Sequence, residues 1–363
     1  MKRWCMMFVV AGAGMVSAAP KGIDWSGSKP VLVQEDGHYG RITRLDRKTL
    51  LACFDWKRAI HVRHSTDEGK TWKEPVKVAE WPYGGLTNAE LLVLKNGEVL
   101  CFFNRRPGRG NTEHPFSIAM CRSKNGGRTW SDATTIYEAG KEFENGCWEP
   151  VGLQMPDGEV QVYFANEGPY RNSTEQEITL MRSKDNGATW GKPEAISFRK
   201  GSRDGMPVPV LSSNGKALAM AIEDNGLSGA FKPVIISSRT TKSGWKEGIA
   251  DGGSSRRWSA LAKPLAPGVY AGAPYLRHSP DGAFVLSYQL AESGEMNQSR
   301  MAVSVGNNMA RNFGEPSFPF PVDGRRPQLW NSLFIKDGKT VTAVSETSQN
   351  GVRGIWAVDG KLE

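Results

Sequence analysis

The chain has 363 residues, 23% of them charged, and its formal net charge of +8 is spread over many segments without a concentrated basic tract. This distribution argues against nucleic acid as a partner. After the amino terminus no segment is long and apolar enough to cross a bilayer, which takes about 20 residues, so we expect no integral membrane segment.

The amino terminus has the pattern of a secretory signal peptide. Lys2 and Arg3 precede an apolar stretch over 6–16, and small residues follow at 17–19. We therefore expect residues 1–19 to be removed and the mature protein to be exported, either to a periplasm or outside the cell. Closed all-β folds often hold more than 300 residues in one unit, so we interpret 20–363 as a single domain.

Four cysteines remain after the leader, and none has the C-x-x-C spacing of a metal or redox site. The five histidines also lack ligand spacing. We expect no metal and no cofactor. Export permits disulfides, so two states, buried thiol and disulfide, stay open for the cysteines. These are Cys53, Cys101, Cys121 and Cys147.

A motif of the form Ser-x-Asp/Asn-x-Gly-x-Thr-Trp recurs at intervals of about sixty residues. Complete copies begin at Ser65, Ser123 and Ser183, a degraded copy spans 238–245, and a fifth is expected within 304–313. Such a segment predicts a hairpin turn, because the Asp or Asn oxygen accepts backbone N–H groups, Gly adopts positive φ and Trp packs underneath. We call this motif the repeated turn and interpret its residues as structural.

A second repeat consists of alternating apolar runs that flank a two-residue turn. Asn-Gly and Asp-Gly between such runs are strong hairpin signals. Six hairpins predict six blades, each with four antiparallel strands, and hence an all-β, six-bladed β-propeller. The first hairpin has Arg47-Lys48 at its turn, and the other five turns are Asn96-Gly97, Asp157-Gly158, Asn214-Gly215, Asp281-Gly282 and Asp337-Gly338.

Both turns of such a blade point to one face of the disc. The start of each first strand and the end of each second strand then lie on the opposite face, where the first strands surround the axis and their polar residues converge on one pocket. Carboxylates can supply acid, base or nucleophile, Arg can bind hydroxyls, and indole rings can stack on sugars. The candidate pocket residues are Arg41, Glu90, Arg105, Trp148, Glu149, Glu167, Asp204, Glu223, Tyr275, Arg326 and Trp330.

The repeated turns resemble the Asp-boxes of the sialidase, or bacterial neuraminidase repeat, superfamily over essentially the whole mature chain. This resemblance implies a sialidase-like propeller that acts on or binds glycans, because the superfamily includes sialidases, family 93 exo-arabinanases and noncatalytic binders. The order of the pocket motifs is most similar to glycoside hydrolase family 93. These motifs are Trp148-Glu149-Pro150, the segment 203–208, Glu223 and the segment 329–333.

In that family-93-like pattern the two catalytic glutamates fall on Glu149 and Glu223, whereas Glu90 and Glu167 have no assigned counterpart. The resemblance implies a monomeric exo-acting glycoside hydrolase that releases terminal sugars from an oligosaccharide or polysaccharide. Trp148 and Trp330 would form stacking walls of its pocket, while Arg41, Arg105 and Asp204 would hold hydroxyls or a uronate. Neither the sugar nor the roles of the two glutamates follow from the sequence.

Three alternatives remain. A sialidase would bring three arginines and a Tyr–Glu pair to the pocket, and Arg41, Arg277 and Arg326 with Tyr270 or Tyr275 are the candidates. A noncatalytic glycan-binding propeller would bind sugars without turnover. A polysaccharide lyase would abstract a proton next to a uronate, and we rank it below the hydrolases.

Overall fold

The structure is a computed structural model. The predicted signal peptide, the turn residue Asn214 and the candidate Arg326 lie outside the residues that it describes. The described residues are 22–111, 113–212, 215–240, 243–322 and 327–363.

The described residues form 24 β-strands, with single turns of 3-10 helix in two loops at Phe143–Asn145 and Met296–Gln298. In chain order the strands are β1 (Ile23–Asp24), β2 (Val31–Glu35), β3 (His38–Arg44), β4 (Leu50–Trp56), β5 (Ala59–Ser65), β6 (Val76–Ala79), β7 (Gly84–Val93), β8 (Val99–Pro107), β9 (Ser117–Ser123), β10 (Thr134–Glu138), β11 (Cys147–Gln154), β12 (Val160–Asn166), β13 (Glu177–Ser183), β14 (Glu194–Ser197), β15 (Asp204–Leu211), β16 (Ala217–Asp224), β17 (Lys232–Arg239), β18 (Arg257–Ser259), β19 (Tyr270–His278), β20 (Phe284–Ala291), β21 (Arg300–Gly306), β22 (Leu329–Ile335), β23 (Thr340–Gln349) and β24 (Val352–Leu362).

These strands make six antiparallel sheets, which confirms the six-bladed propeller. Blades one to four are β3–β6, β7–β10, β11–β14 and β15–β18. Blade five is β19–β21, with an antiparallel bridge from Val303 to Ser317 in the place of a fourth strand. In blade six, β22, β23 and β24 are completed by β1 and β2 from the start of the chain. The first strands of neighbouring blades contact each other, and contacts between β22 and β3 close the ring.

The repeated turns have the hydrogen bonds that their sequence predicts. In the first, Gly69 N–H donates to Ser65 Oγ at 2.9 Å, while Thr71 donates its N–H and its hydroxyl to Asp67 at 3.0 and 2.5 Å. The degraded fifth copy keeps the central bond, since Arg311 N–H donates to Asn307 Oδ1 at 3.0 Å. Because these contacts are local and repeated, the turns belong to the scaffold.

The first strand of every blade contains a β-bulge at its start, on the face opposite the repeated turns. The register shifts in each first-to-second strand pair, and the bulged residue adopts a left-handed conformation with φ of 47–58°. Bulges redirect side chains, and non-glycine residues with positive φ cluster at functional sites. The six bulge residues are Tyr39, Asn88, Glu149, Met206, Ala273 and Trp330.

Candidate active site

The six bulges place their residues around the propeller axis. Tyr39, Met206 and Ala273 form a buried cluster with Trp330, and the rings of Tyr39 and Trp330 stack with centroids 4.6 Å apart and planes 16° apart. Glu149 completes the lining of a small axial cavity beside Tyr39 and Met206. Tyr39 is buried and backs the partly accessible Trp330, so the Trp330 indole is the ring of this pair that can meet a sugar.

Glu149 is itself a bulge residue of β11, with φ of 54°. Its Oε2 accepts the Met206 N–H from the next blade at 3.4 Å. The side chain is partly accessible. Burial raises the pKa of the Glu149 carboxyl to about 7, while Arg106 is the strongest of the groups that lower it. The group can therefore hold a proton near neutral pH.

Glu223 lies at the end of β16, and its Oε2 accepts the Ala273 N–H from the next blade at 2.7 Å. Two glycines make room for it, since a Cβ on Gly205 or Gly272 would lie 2.9 or 2.7 Å from a Glu223 carboxylate oxygen. Burial, followed by repulsion from Glu149, raises the pKa of Glu223 to about 7. The glutamate is fixed in place and remains partly accessible.

The two carboxyl groups lie on either side of the Gly205–Met206 segment. Glu149 accepts the Met206 N–H, and Glu223 pairs in register with Gly205. Interacting carboxyl groups whose pKa values are both raised titrate as a unit and share a proton over a range of pH. Such a pair can supply one protonated acid and one carboxylate at the same time.

Behind Glu149, Trp148 and Glu167 form a supporting layer. Trp148 Nε1 donates to Glu167 Oε2 at 2.8 Å, and the Arg203 guanidinium donates to Glu167 Oε1. The Trp148 ring is 5% exposed and packs against Phe116 and Phe143, so it is not an open stacking wall. The sequence placed Trp148 and Glu167 in the pocket, whereas the structure places them just outside it.

Arg106, which lies beside the axial cavity and contacts the cavity residue Asn88, was missed by sequence reasoning. Its Nη2 donates to Asn88 Oδ1 at 2.8 Å, and its guanidinium lies 4.8 Å from the centre of a Trp148 ring. The neighbouring Arg105 points away and donates to Thr135 Oγ1 at 2.7 Å in its own blade. Successive strand residues face opposite sides, so the alternation along β8 was the signal that could have chosen Arg106 over Arg105.

Asp204 also departs from the expectation of substrate binding. It is fully buried, and Arg257 donates to both of its oxygens at 2.6 and 2.7 Å, while Ser197 Oγ adds a bond at 2.6 Å. Arg257 also binds Asp224. Asp204 therefore belongs to a buried ionic network inside blade four and cannot contact a substrate in this conformation.

Below the bulges, Arg41, Glu90 and Tyr275 close the floor of the cavity. The Tyr275 hydroxyl donates to Glu90 at 3.1 Å, Arg41 Nε lies 3.4 Å from Glu90 Oε2, and Arg277 lies 3.7 Å from Glu90 Oε1. Burial raises the pKa of the Tyr275 phenol above its usual range, and the nearby Glu90 carboxyl raises it further. A phenol in this state can act as a nucleophile only with help from an adjacent base, and Glu90 is the carboxyl group in contact with it.

Other expectations concern groups outside the pocket. The four cysteines are buried thiols. Among the described residues no cluster of three or more His, Cys, Asp or Glu side chains could hold a metal ion. In the same part of the chain no helix is long and apolar enough to cross a membrane.

The six antiparallel sheets and the cavity between their first strands define the class of protein, a six-bladed β-propeller. More specifically, the chain belongs to the BNR repeat-like domain family, which matches it over residues 51–199 and 108–251. No curated protein matches the sequence.

Solved structures share the fold at low identity. The α-L-arabinofuranosidase Arb93A of Fusarium graminearum, solved with an iminosugar inhibitor, has a TM-score of 0.69 and 17% identity over 96% of this chain and 99% of its own. An α-L-arabinanase of Penicillium chrysogenum with arabinobiose has a TM-score of 0.69 and 16% identity over 96% and 99%. The Hadza microbial sialidase Hz136 has a TM-score of 0.61 and 16% identity over 90% and 66%. The fold is therefore one that glycoside hydrolases use.

Proposed function

We propose that the protein is an exported, exo-acting glycoside hydrolase in which Glu149 and Glu223 are the catalytic carboxyl pair. One observation carries the proposal. Two partly accessible carboxyl groups, Glu149 and Glu223, each with its pKa raised to about 7, flank the Gly205–Met206 segment, and Glu149 and Met206 line the axial cavity. Acid and base assignments in enzymes follow from carboxyl groups with such environments.

In this mechanism one carboxyl group protonates the glycosidic oxygen as the bond to the leaving sugar breaks. The other, as a carboxylate, attacks the anomeric carbon or activates a water molecule for that attack. Backbone N–H groups of Met206 and Ala273 hold the two carboxyls, so little reorientation is needed in the transition state. The floor made by Arg41, Glu90 and Tyr275 ends the cavity, which suits the end of a glycan chain and supports exo action.

The comparisons give the first substrates to try. Two of the similar structures carry the names of an α-L-arabinofuranosidase and an α-L-arabinanase. Aryl α-L-arabinofuranoside and arabinan oligosaccharides therefore head a panel that also holds aryl hexosides and an aryl sialoside. Release of single terminal sugars, separated by chromatography, is the result that exo action requires.

The decisive variants are Glu149→Gln and Glu223→Gln. Each is expected to lower kcat/KM by about a thousandfold or more while the protein stays folded, because positioned acid or base catalysis contributes about 10² to 10⁴. Glutamine at position 223 is expected to keep the hydrogen bond from the Ala273 N–H in the next blade. Gln289 occupies the corresponding position in blade five, and its Oε1 accepts the Trp330 N–H at 2.6 Å. Loss of activity in Glu223→Gln thus reports chemistry, and loss of folding is checked by thermal unfolding.

Glu346→Gln is the matched control. Glu346 occupies in blade six the position that Glu223 occupies in blade four, because each pairs with the residue just before the bulge residue of the first strand. The Glu346 carboxyl, however, binds His38 and Arg353. We expect its activity to stay within a few-fold of the parent. Near-normal turnover in either pocket variant, or an equal loss in Glu346→Gln, would show that the pair is wrong.

A sialidase is the second candidate, favoured by the hydrogen bond between Tyr275 and Glu90 with Arg41 and Arg277 alongside. Turnover of the aryl sialoside, abolished in Tyr275→Phe and retained in Glu223→Gln, would select it. A folded protein that binds glycans and turns over none of the panel would instead indicate a noncatalytic binding propeller.

A further inference from the structure

A groove on the site face adjoins the axial cavity between blades one and two. It meets the cavity at Arg106, whose guanidinium donates to the bulge residue Asn88. The groove is distinct from the carboxyl pair, which lies in blades three and four. The groove is lined chiefly by Asp55, Trp56, Lys57, Arg58, Thr87 and Arg106.

The groove carries an excess of positive charge, because Lys57, Arg58 and Arg106 face the single carboxyl group of Asp55. Among the described residues, Lys57, Arg58 and Arg106 have no carboxylate within 4.0 Å, although nearby arginines on this face do: Arg203 pairs with Glu167 and Arg353 with Glu346. The one acidic lining residue, Asp55, has its pKa raised to about 6 by burial, so at neutral pH it is largely ionised and offsets one of the three positive charges. A low-dielectric groove with uncompensated cations attracts an anion.

Three buried polar atoms at the same place also lack partners. They are Asp55 Oδ1, Asn88 Nδ2 and Arg106 Nε. Asn88 is 3% exposed, so water cannot freely replace a missing partner. Buried donors and acceptors without hydrogen bonds are unfavourable, so a ligand that supplies partners here is favoured. A ligand with hydroxyl groups and an anionic group carries both the donor and the acceptor atoms that Asp55 and Arg106, which line the groove, lack.

We propose that this groove is a subsite for a negatively charged sugar residue, adjacent to the terminal sugar held in the axial cavity. This inference rests on the proposed function for the position of the cleaved bond. The planar guanidinium of Arg106 would receive the anionic group, with Lys57 and Arg58 at the outer end. A uronate carboxylate and a sulfate ester share this chemistry, and the substrate class is an acidic oligosaccharide.

Calorimetric titration of the Glu223→Gln protein tests binding without turnover. The probes are trimers of galacturonic, glucuronic and mannuronic acid, their neutral methyl esters, and sulfated trimers of the corresponding neutral sugars. We expect at least one acidic or sulfated trimer to bind ten times more tightly than its neutral partner, with the preference falling as NaCl rises. Preference for the acid over the sulfate, or the reverse, identifies the anionic group.

The double variant Lys57→Gln/Arg58→Gln is expected to reduce that preference about five- to tenfold, since each exposed ion pair contributes about 0.2–1 kcal/mol. Lys124→Gln/Lys184→Gln removes the same charge from two repeated turns on the other face and should leave the preference unchanged. The proposal is overturned if no series shows a preference, or if both double variants reduce it equally.

The two proposals can fail separately. Charge-dependent binding of acidic trimers without turnover of any acidic or neutral glycan would reject the hydrolase and keep the subsite. Hydrolysis of neutral glycans by the parent, with no preference for acidic trimers in titration, would reject the subsite and keep the hydrolase.

Discussion

The two faces of the propeller carry carboxyl groups in opposite electrostatic states. On the repeated-turn face, hydrogen bonds from the Thr71 hydroxyl and N–H lower the pKa of Asp67 to about 2. On the site face, burial raises the pKa values of Glu149 and Glu223 to about 7. The difference lies in the donors: the turn carboxylate has several and is solvated, whereas each site glutamate has one backbone donor and little water.

This comparison separates a structural carboxylate from a reactive one. Asp67 obtains its partners from within its own turn, so its environment follows from a short motif. Glu149 and Glu223 obtain theirs from Met206 and Ala273 in the next blade. Each prediction below tests whether a carboxyl group belongs to the first class or to the second.

Asp204 is the site-face carboxylate that we assign to the structural class. Asp204→Ala removes two bonds from Arg257 and leaves that buried cation with Asp224 as its carboxylate partner, besides the neutral acceptors Ser197 Oγ and Ala250 O. We expect a loss of about 3 kcal/mol in the free energy of unfolding, at the lower end of values for broken buried ion pairs. Urea unfolding measures it. An unchanged unfolding midpoint together with a raised KM would instead return Asp204 to substrate binding.

The raised pKa of Glu223 has a consequence for stability. A carboxyl whose pKa is about 7 in the folded state and near 4.5 in the unfolded state binds protons more tightly when folded, so its contribution to stability is lost as pH rises from about 4.5 to 7. Glu223→Gln removes this loss and keeps the hydrogen bond to Ala273. We expect its Tm to exceed that of the parent by a few degrees at pH 8 and to approach it at pH 5. A Tm difference that does not change with pH would contradict the raised pKa.

The fold could be predicted from the sequence because both of its signals are local. The repeated turns and the two-residue hairpins need only neighbouring residues, and they indicated the six blades that the structure shows. The bulges were missed, although Pro150, Pro207 and Pro274 directly follow bulge residues in three successive blades. A proline in an inner strand is typical of a bulge.

The site was predicted less completely for a related reason. Counting residues from a turn locates the end of the strand on which a residue lies, but it does not determine which face of the sheet the side chain points to. Arg105 and Asp204 were therefore included, and Arg106 was not. For Asp204, the bulge in β15 shifts the alternation by one residue, so the facing of its side chain could not be extrapolated from the turn. Arg105 and Arg106 lie on β8, outside the bulged strand β7, so the alternation was available there.

Gly272 tests whether the position of Glu223 matters as well as its charge. Gly272→Ala would place a Cβ 2.7 Å from Glu223 Oε2 and 2.5 Å from the Tyr270 hydroxyl. We expect the carboxyl to move and kcat/KM to fall about tenfold or more, since small misplacement of a catalytic group is costly. Gly268→Ala is the control in the same blade, because its Cβ would meet nothing within 4 Å. Equal activity in the two variants would mean that Glu223 needs no fixed position.

The smallest effect is expected on the repeated-turn face. Asp67→Ala removes the bonds to Thr71 and should lower stability by about 1 kcal/mol, a Tm change of about 2 °C, with kcat/KM unchanged. Asp67→Asn should be nearly neutral, because Asn125 makes the corresponding bonds to Thr129 in the second repeated turn at 2.9 and 2.8 Å. Thermal unfolding and one activity assay measure both variants. If Asp67→Ala lost activity without losing stability, the turn face would carry chemistry and the contrast between the two faces would fail.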